Sequence, residues 1–133
     1  PVDGSEHSNH AVALASQFAK AFGAELTLIA VNELLDAVGA KGGTGASFWD
    51  SEQLQRILDD AAGVAGNSGV SDPKKVSVNS RDVARAIALF AEDNGFDHVV
   101  VGSAGKGGVS RLMLGSVSRD VVFRVHCPVT VVR

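Results

Sequence analysis

A glycine motif with fixed spacing constrains this chain more than any other feature of its sequence. The apolar run 98–101 leads into Gly102 and Gly105, and Gly115 and Ser116 follow after nine further residues. A strand that feeds a glycine loop and then the start of a helix places unpaired backbone N–H groups beside the positive end of a helix dipole. The spacing Gly-x2-Gly-x9-Gly-Ser therefore indicates a binding site for an anion, and phosphate is the expected ligand.

Two common phosphate-binding patterns do not occur in the sequence. There is no Gly-x4-Gly-Lys-Ser/Thr, and the glycine-rich stretch 39–45 does not supply one. The pattern Gly-x-Gly-x-x-Gly fails as well, because Ser110 stands where a third glycine would follow Gly105 and Gly107. The sequence therefore disfavours the two nucleotide-binding folds that carry these patterns.

Length and charge limit the size of the fold and the kind of partner. The chain has 133 residues, which is enough to bury a core and fits one domain over 1–133. Its 12 Lys and Arg against 15 Asp and Glu leave a formal charge of −3. No broad positive field favours nucleic acid or an anionic membrane surface, so we expect neither partner and a local anion site.

Three sequence features indicate the cellular compartment and the capacity for metal binding: the cysteine, the histidines and the lengths of the apolar stretches. Cys127 is the single cysteine, and its apolar neighbours predict a buried thiol in a reducing compartment. No apolar stretch reaches the roughly 18 residues of a membrane span, and no signal sequence opens the chain, so we expect a cytoplasmic protein. The histidines are scattered without metal-ligand spacing, and we expect no metal site built by side chains.

Apolar periodicity predicts alternating helices and strands. Helical spacing marks the ranges 8–22, 50–66, 82–93 and about 116–125. Short apolar or branched runs predict strands at 25–31, 75–79, 98–101 and 128–132. Gly23 stands where the first helix should end, Asp50 with Gln53 forms a capping-box pattern, and a glycine-rich loop is predicted from about 32 to 47. This alternation indicates a doubly wound α/β sheet with right-handed crossovers.

The first predicted helix lacks the strand that should precede it. Residues 1–5 resemble the last residues of a strand and its turn, without the apolar run that normally comes first. We therefore expect that a few residues before Pro1 are missing from the sequence, and that the sheet without them has a central gap.

These residues resemble the universal stress protein family, in particular its ATP-binding branch. The resemblance spans the chain: it rests on residues 1–5, the strand that ends at Val31, the motif over 102–118 and the close at 127–133. It implies an open, parallel, five-stranded sheet in the order 3-2-1-4-5 with helices on both faces. Ligands of such sheets bind beyond the carboxyl ends of the strands where the strand order reverses, here between the first strand and the strand that ends at Val101.

The same resemblance implies which residues bind an adenine nucleotide. The adenine and ribose contacts correspond to Pro1, Asp3 and the backbone at Val31. The ribose and phosphate contacts correspond to Gly102, Ser103, Gly105, Lys106, Gly107, Gly108, Gly115, Ser116, Val117 and Ser118. The cofactor is then ATP, or AMP or ADP, and any Mg²⁺ is held by the phosphates. Lys106 and Arg111 can offset phosphate charge, whereas Asp3 has the alternative of capping the first helix with Ser5.

Three functions stay open at the level of sequence. The first is an ATP-binding regulatory module of the stress response, expected as a homodimer. The second is a nucleotide-independent interaction protein that dimerises through the strand 129–132, whose apolar edge invites pairing. The third is a slow ATPase or autophosphorylating protein, but the sequence shows a phosphate cradle with no clear base other than Asp3, so we predict no catalytic residues.

Overall fold

The fold alternates helices and strands, as the sequence predicts. The computed structural model describes residues 1–35, 46–105 and 113–133. Its helices are α1 (Glu6–Phe22), α2 (Ser51–Asn67), α3 (Val83–Asp93) and α4 (Ser116–Arg124). Its strands are β1 (Thr27–Leu35), β2 (Ala46–Ser47), β3 (Lys74–Ser80), β4 (Val99–Gly102) and β5 (Val129–Val132). No helix in these ranges is long and apolar enough to cross a membrane.

Local signals in the sequence account for the helix ends. The Ser5 side chain accepts a hydrogen bond from the backbone N–H of Ser8 and so caps α1, which ends at Gly23 in the left-handed conformation at φ +64°. Asp50 and Gln53 form the predicted capping box at the start of α2. These side chains satisfy N–H groups that a first helical turn leaves unpaired, which is why the helices begin where they do.

The strands form two parallel pairs. β1 pairs with β3 from Thr27 opposite Lys74 to Glu33 opposite Ser80, and β4 pairs with β5 over their whole length. The predicted order 3-2-1-4-5 counts the strand expected before α1 as strand 1 and β1 as strand 2. The two pairs are therefore its neighbours 3-2 and 4-5. The described residues show no ladder joining the two pairs, so the continuous order 3-2-1-4-5 is not seen. Between β1 and β4 lies an apolar cavity of about 90 Å³.

The segment before α1 lies against β1 without being a strand. The backbone N–H of Val2 donates to the carbonyl of Ile29 at 2.8 Å, and the Val2 side chain is buried. This contact leads the chain towards the carboxyl end of β1 before it enters α1. Asp3 and the cap residue Ser5 are thereby held near the carboxyl ends of the strands.

Two apolar clusters cover the two faces of the sheet, which confirms helices on both sides. The cluster on the side of α1 and α2 consists of Val2, Val12, Leu28, Ala30, Ile57, Leu58, Ala61 and Ala65. The cluster on the side of α3 and α4 consists of Ile29, Val31, Ala84, Ile87, Ala91, Val99, Val101 and Val121. Successive β1 residues alternate between them, as side chains of a strand buried on both faces must.

The end of β1 differs from its prediction. β1 continues to Leu35, beyond the predicted end at Val31, and pairs antiparallel with the two-residue strand β2, which lies in the predicted loop. Glu33 and Asn32 break the apolar run, so the sequence pattern stops while the backbone stays extended. A two-residue strand is too short to produce a periodic signal.

Candidate functional site

A cavity of about 290 Å³ lies where β1, β4 and α4 meet. Its β1 side is formed by Ile29, Val31 and Glu33 of β1 together with Phe48 and Trp49, which follow β2. Its α4 side is formed by Gly102 and Gly105 at the end of β4 and by Gly115, Ser116, Val117 and Ser118 at the start of α4. Asp3 and two α3 residues, Val83 and Ile87, also line it. The cavity therefore joins a largely apolar side to a helix N-terminus.

The β1 side is apolar because of the alternation of the strand. Ile29, Val31 and Glu33 occupy every second position and so point to the same face of the sheet. Ile29 and Val31 are buried against α3, whereas Glu33 is exposed. This side offers a flat planar group an apolar surface with one carboxylate at its margin.

Among the described residues, no side-chain cap binds the first turn of α4 at the N-cap position. The N-cap residue Gly115 makes no side-chain hydrogen bond to the first turn of α4, whereas Ser5, Asp50 and Asp82 cap the other three described helices. Ser116 and Val117 follow in that first turn and line the cavity. A first turn without a side-chain cap keeps its N–H groups and the positive end of its dipole available to an anion.

Hydrogen bonds to the backbone at the end of β4 hold the α4 side of the cavity in place. The Ser118 hydroxyl donates to the Gly102 carbonyl at 2.6 Å, and the N–H of Gly115 donates to the Ser103 carbonyl at 2.8 Å. The N–H of Ser103 in turn donates to the Val132 carbonyl of β5 at 2.6 Å. Ser103 is buried and does not line the cavity, so its backbone joins β5 to the start of α4.

Gly102 and Gly105 have a structural role that the sequence did not reveal. A Cβ on Gly102 would lie 2.6 Å from the backbone carbon of His7, and a Cβ on Gly105 would lie 2.6 Å from Asp3 Oδ2. Both values are well below van der Waals contact. These glycines therefore allow parts of the protein, and not only a ligand, to approach the loop after β4.

Asp3 lies across the cavity margin from this loop. Its Oδ1 accepts a hydrogen bond from the N–H of Ser5 at 2.9 Å, while the hydroxyl of Ser5 caps α1. Its Oδ2 is the atom that faces Gly105. The carboxylate thus binds the N–H of Ser5, the residue that caps α1, and also borders the cavity.

The structure brings most of the predicted site residues together. Those that line the cavity are Pro1, Asp3, Val31, Gly102, Gly105, Gly115, Ser116, Val117 and Ser118. Ser103 lies behind it. Lys106, Gly107, Gly108 and Arg111 lie outside the described residues.

Sequence reasoning did not assign the other ten lining residues to the site: Val2, Ser8, Ile29, Glu33, Phe48, Trp49, Val83, Ile87, Val101 and Ala104. The alternation of β1 carries the signal for Ile29 and Glu33, since Val31 lies between them. Phe48 had no such signal, because its position depends on β2.

Among the described residues, no cluster of three or more His, Cys, Asp or Glu could hold a metal ion. Cys127 is half-buried beside the α3 and α4 cluster, where desolvation raises the pKa of its thiol. The thiol therefore stays protonated at neutral pH and acts as a packing group.

Comparison with known proteins connects this geometry to one family. A model described as the universal stress protein family matches residues 1–133. A universal stress protein of Methanocaldococcus jannaschii is 34% identical over 141 residues, covering 100% of this chain and 79% of that protein. A universal stress protein crystallised with cAMP aligns with a TM-score of 0.73 at 27% identity, over 98% of this chain and 90% of that one. The Archaeoglobus fulgidus protein in complex with dAMP also aligns at 0.73, with 18% identity over 97% and 90% of the two chains.

Proposed function

The chain belongs to the universal stress protein family, and we propose that it binds an adenine nucleotide, with ATP as its ligand, and acts as a nucleotide-dependent regulatory module of the stress response. One observation carries the proposal: the apolar β1 side and the uncapped first turn of α4 line the same cavity. A nucleotide has the same two parts, a planar base and an anionic phosphate chain.

The size and chemistry of the cavity support a nucleotide. Its volume of about 290 Å³ lies at the lower end of the range for small-molecule sites, which is roughly 300 to 1,000 Å³. The universal stress protein crystallised with cAMP supports adenine as the base.

We assign roles within the site as the resemblance to the family implies. Val31 and Pro1 contact adenine, Asp3 accepts hydrogen bonds from the ribose hydroxyls, and the backbone of Gly102 and Gly105 lies along the ribose and phosphates. Ser116 and Val117 offer their N–H groups to the phosphates, together with Lys106, Gly107 and Gly108. Mg²⁺, when it accompanies ATP, is held by the phosphates.

A charge placed at the first turn of α4 tests this assignment. We expect Ser116→Glu to weaken AMP binding about tenfold and to leave adenosine binding unchanged, because only AMP carries a phosphate for the new carboxylate to repel. Glutamate is favourable in a first helical turn, so the helix itself should remain folded. Ser51→Glu is the matched control, since Ser51 is the exposed first residue of α2. Isothermal titration calorimetry measures each affinity.

Two results would count against the proposal. If the unmodified protein binds neither ATP nor AMP at millimolar concentration, nucleotide binding is wrong. If Ser116→Glu and Ser51→Glu bind AMP equally well, α4 does not receive the phosphates.

We propose further that the protein is a cytoplasmic homodimer joined through β5 and that its sheet follows the order 3-2-1-4-5. Within the described residues β5 pairs on one edge only, with β4, and its other edge offers unpaired backbone groups. On the side that faces β4, the hydrogen bond from the Ser103 N–H to the Val132 carbonyl links β5 to the segment before α4. Nucleotide binding at the start of α4 and dimerisation through β5 would thus involve backbone segments that are hydrogen-bonded to each other. We propose that nucleotide binding regulates dimerisation through this link.

A further inference from the structure

We propose that Phe48 is the aromatic contact for the nucleotide base, held in place by a clasp formed between Asn32 and the backbone of Trp49. This inference rests on the proposed nucleotide binding and adds a residue that lies outside the glycine motif. It concerns a part of the cavity that the sequence pattern did not predict.

Hydrogen bonds to the end of β1 fix the backbone of Phe48 and of Trp49. The Asn32 side chain donates from Nδ2 to the Trp49 carbonyl at 3.1 Å and accepts at Oδ1 from the Trp49 N–H at 3.0 Å. The N–H of Phe48 donates to the carbonyl of Glu33 at 2.8 Å. Asn32 is itself buried, so these hydrogen bonds are shielded from water. The segment after β2 is therefore held against the end of β1.

The two aromatic residues in this segment have different surroundings. Trp49 packs against the cluster beside α1 and α2, which anchors the segment to the core. Phe48 remains 55% exposed although its backbone is fixed, and its ring meets the Trp49 ring edge-on with centroids 5.3 Å apart. Phe48 lines the cavity. It thus presents an apolar aromatic surface in a prearranged position, which reduces the entropy lost on binding.

The chemistry of the β1 side selects the base and not the phosphate. Phe48 shares this side with Val31 and Ile29, while the uncapped helix start lies on the α4 side. The Glu33 carboxylate also lines the β1 side and repels phosphate there. Stacking on an aromatic ring suits any purine face. Phe48 therefore contributes to base affinity, and the two sides together orient the nucleotide.

Phe48→Ala, Phe48→Tyr and Phe22→Ala test the assignment by calorimetry with AMP and adenosine. We expect Phe48→Ala to weaken both ligands by the same factor, roughly tenfold, because both carry the base. Phe48→Tyr keeps the ring and should bind within about twofold of the unmodified protein. Phe22 is 80% exposed at the end of α1 and away from this cavity, so Phe22→Ala should leave both affinities unchanged.

The fluorescence of Trp49 provides a second measurement. Trp49 is the only tryptophan of the chain and lines the same side of the cavity as Phe48. Adenosine and AMP should therefore both change its emission, with midpoints that match the calorimetric affinities. Circular dichroism should show unchanged secondary structure in Phe48→Ala, since this side chain is largely exposed.

The outcomes separate this inference from the proposed function. If the unmodified protein binds AMP and Phe48→Ala binds it equally well, or if Phe48→Ala weakens AMP but not adenosine, the role of Phe48 is wrong while nucleotide binding stands. If the unmodified protein binds neither ligand, both proposals are overturned. If Phe48→Ala lowers the affinities for AMP and adenosine by the same factor and Phe48→Tyr retains both affinities, the contact between Phe48 and the base is supported.

Discussion

Gly102 lies so close to the first turn of α1 that the fold leaves no room for a side chain there. Its added Cβ would meet the carbon and oxygen of the His7 carbonyl and the nitrogen of Ser8, all backbone atoms. Backbone cannot rotate away as a flexible side chain can. A glycine is therefore required here by packing, independently of any ligand.

We expect Gly102→Ala to lower the free energy of unfolding by about 1 to 3 kcal/mol, the usual cost of overpacking. Gly63→Ala is the matched control, because Gly63 lies within α2 and a Cβ there would meet nothing within 4 Å. In a helix interior, alanine is favoured over glycine by about 1 kcal/mol, so this variant should be more stable. Urea denaturation measures both changes. Equal stability of Gly102→Ala and the unmodified protein would contradict the packing role.

The sequence predicted where the glycines of the motif lie better than it predicted why glycine is needed there. The motif spacing predicted that Gly102, Gly105 and Gly115 lie near one another, and they line one cavity. It could not reveal that His7 and Asp3 approach the first two, because that contact joins residues about a hundred positions apart. Such long-range contacts depend on how α1 lies across the sheet.

Among the elements, α3 and α4 are joined by one charged side chain. Asp82 caps α3 by accepting from the N–H of Arg85 at 2.9 Å, and its second oxygen accepts from Arg124 at 2.8 Å. Arg124 belongs to the last turn of α4. The hydrogen bond from the Arg85 backbone, and then the nearby arginines, lower the pKa of the Asp82 carboxyl below its ordinary value.

This lowered pKa makes the contribution of Asp82 to stability depend on pH. The contribution is fully present above the unfolded pKa of about 4, and it is lost as the pH falls through the lower folded value. We therefore expect Asp82→Asn to be less stable than the unmodified protein at pH 7, with the difference shrinking towards pH 3. Asparagine can still cap, so the variant isolates the charge.

Urea midpoints of Asp82→Asn, measured from pH 7 to pH 3, provide the test. Asp60→Asn, at an exposed position of α2, controls for the loss of one negative charge. A stability difference for Asp82→Asn that stays constant over this range would show that the charge of Asp82 is not responsible.

The elements differ in how far local sequence determines them. Caps at Ser5, Asp50 and Gly23 end or begin helices through bonds to residues within five positions, so those ends could be predicted. β2 pairs with the end of β1, and directly after it the Asn32 side chain and the Glu33 carbonyl bind the backbone at 48 and 49. These partners lie far apart in sequence, and no periodicity precedes them.

For the molecule as a whole, the alternation of elements predicted the layers but not the strand order. Both parallel pairs and the helices on either face follow from buried strands linked by helices. The order 3-2-1-4-5 came from family resemblance, and the described ladders contain only its outer pairs. In that order a strand before α1 would lie between β1 and β4. Residues 1–5, which resemble only the end of such a strand, form no strand, although the backbone N–H of Val2 bonds to the carbonyl of Ile29.

The edge of β5 that pairs with no strand among the described residues makes the proposed dimer testable with one substitution. The Val132 carbonyl accepts from the N–H of Ser103 and so faces β4. Because backbone polar groups of successive strand residues point to opposite sides, the N–H and carbonyl of Val131 face away from β4. Proline at 131 would remove that outward N–H while sparing the bonds between β4 and β5, and an edge strand tolerates it.

We expect Val131→Pro to raise the dimer dissociation constant at least tenfold, because each protomer loses one of the N–H groups of β5 that face away from β4. Val131→Thr is the matched control, because threonine keeps both the β-branch and the N–H. Size-exclusion chromatography with light scattering, over a series of protein concentrations, measures the masses. Thermal unfolding checks that each protomer remains folded. A folded Val131→Pro variant that stays dimeric at the same concentrations as the threonine variant would place the interface elsewhere.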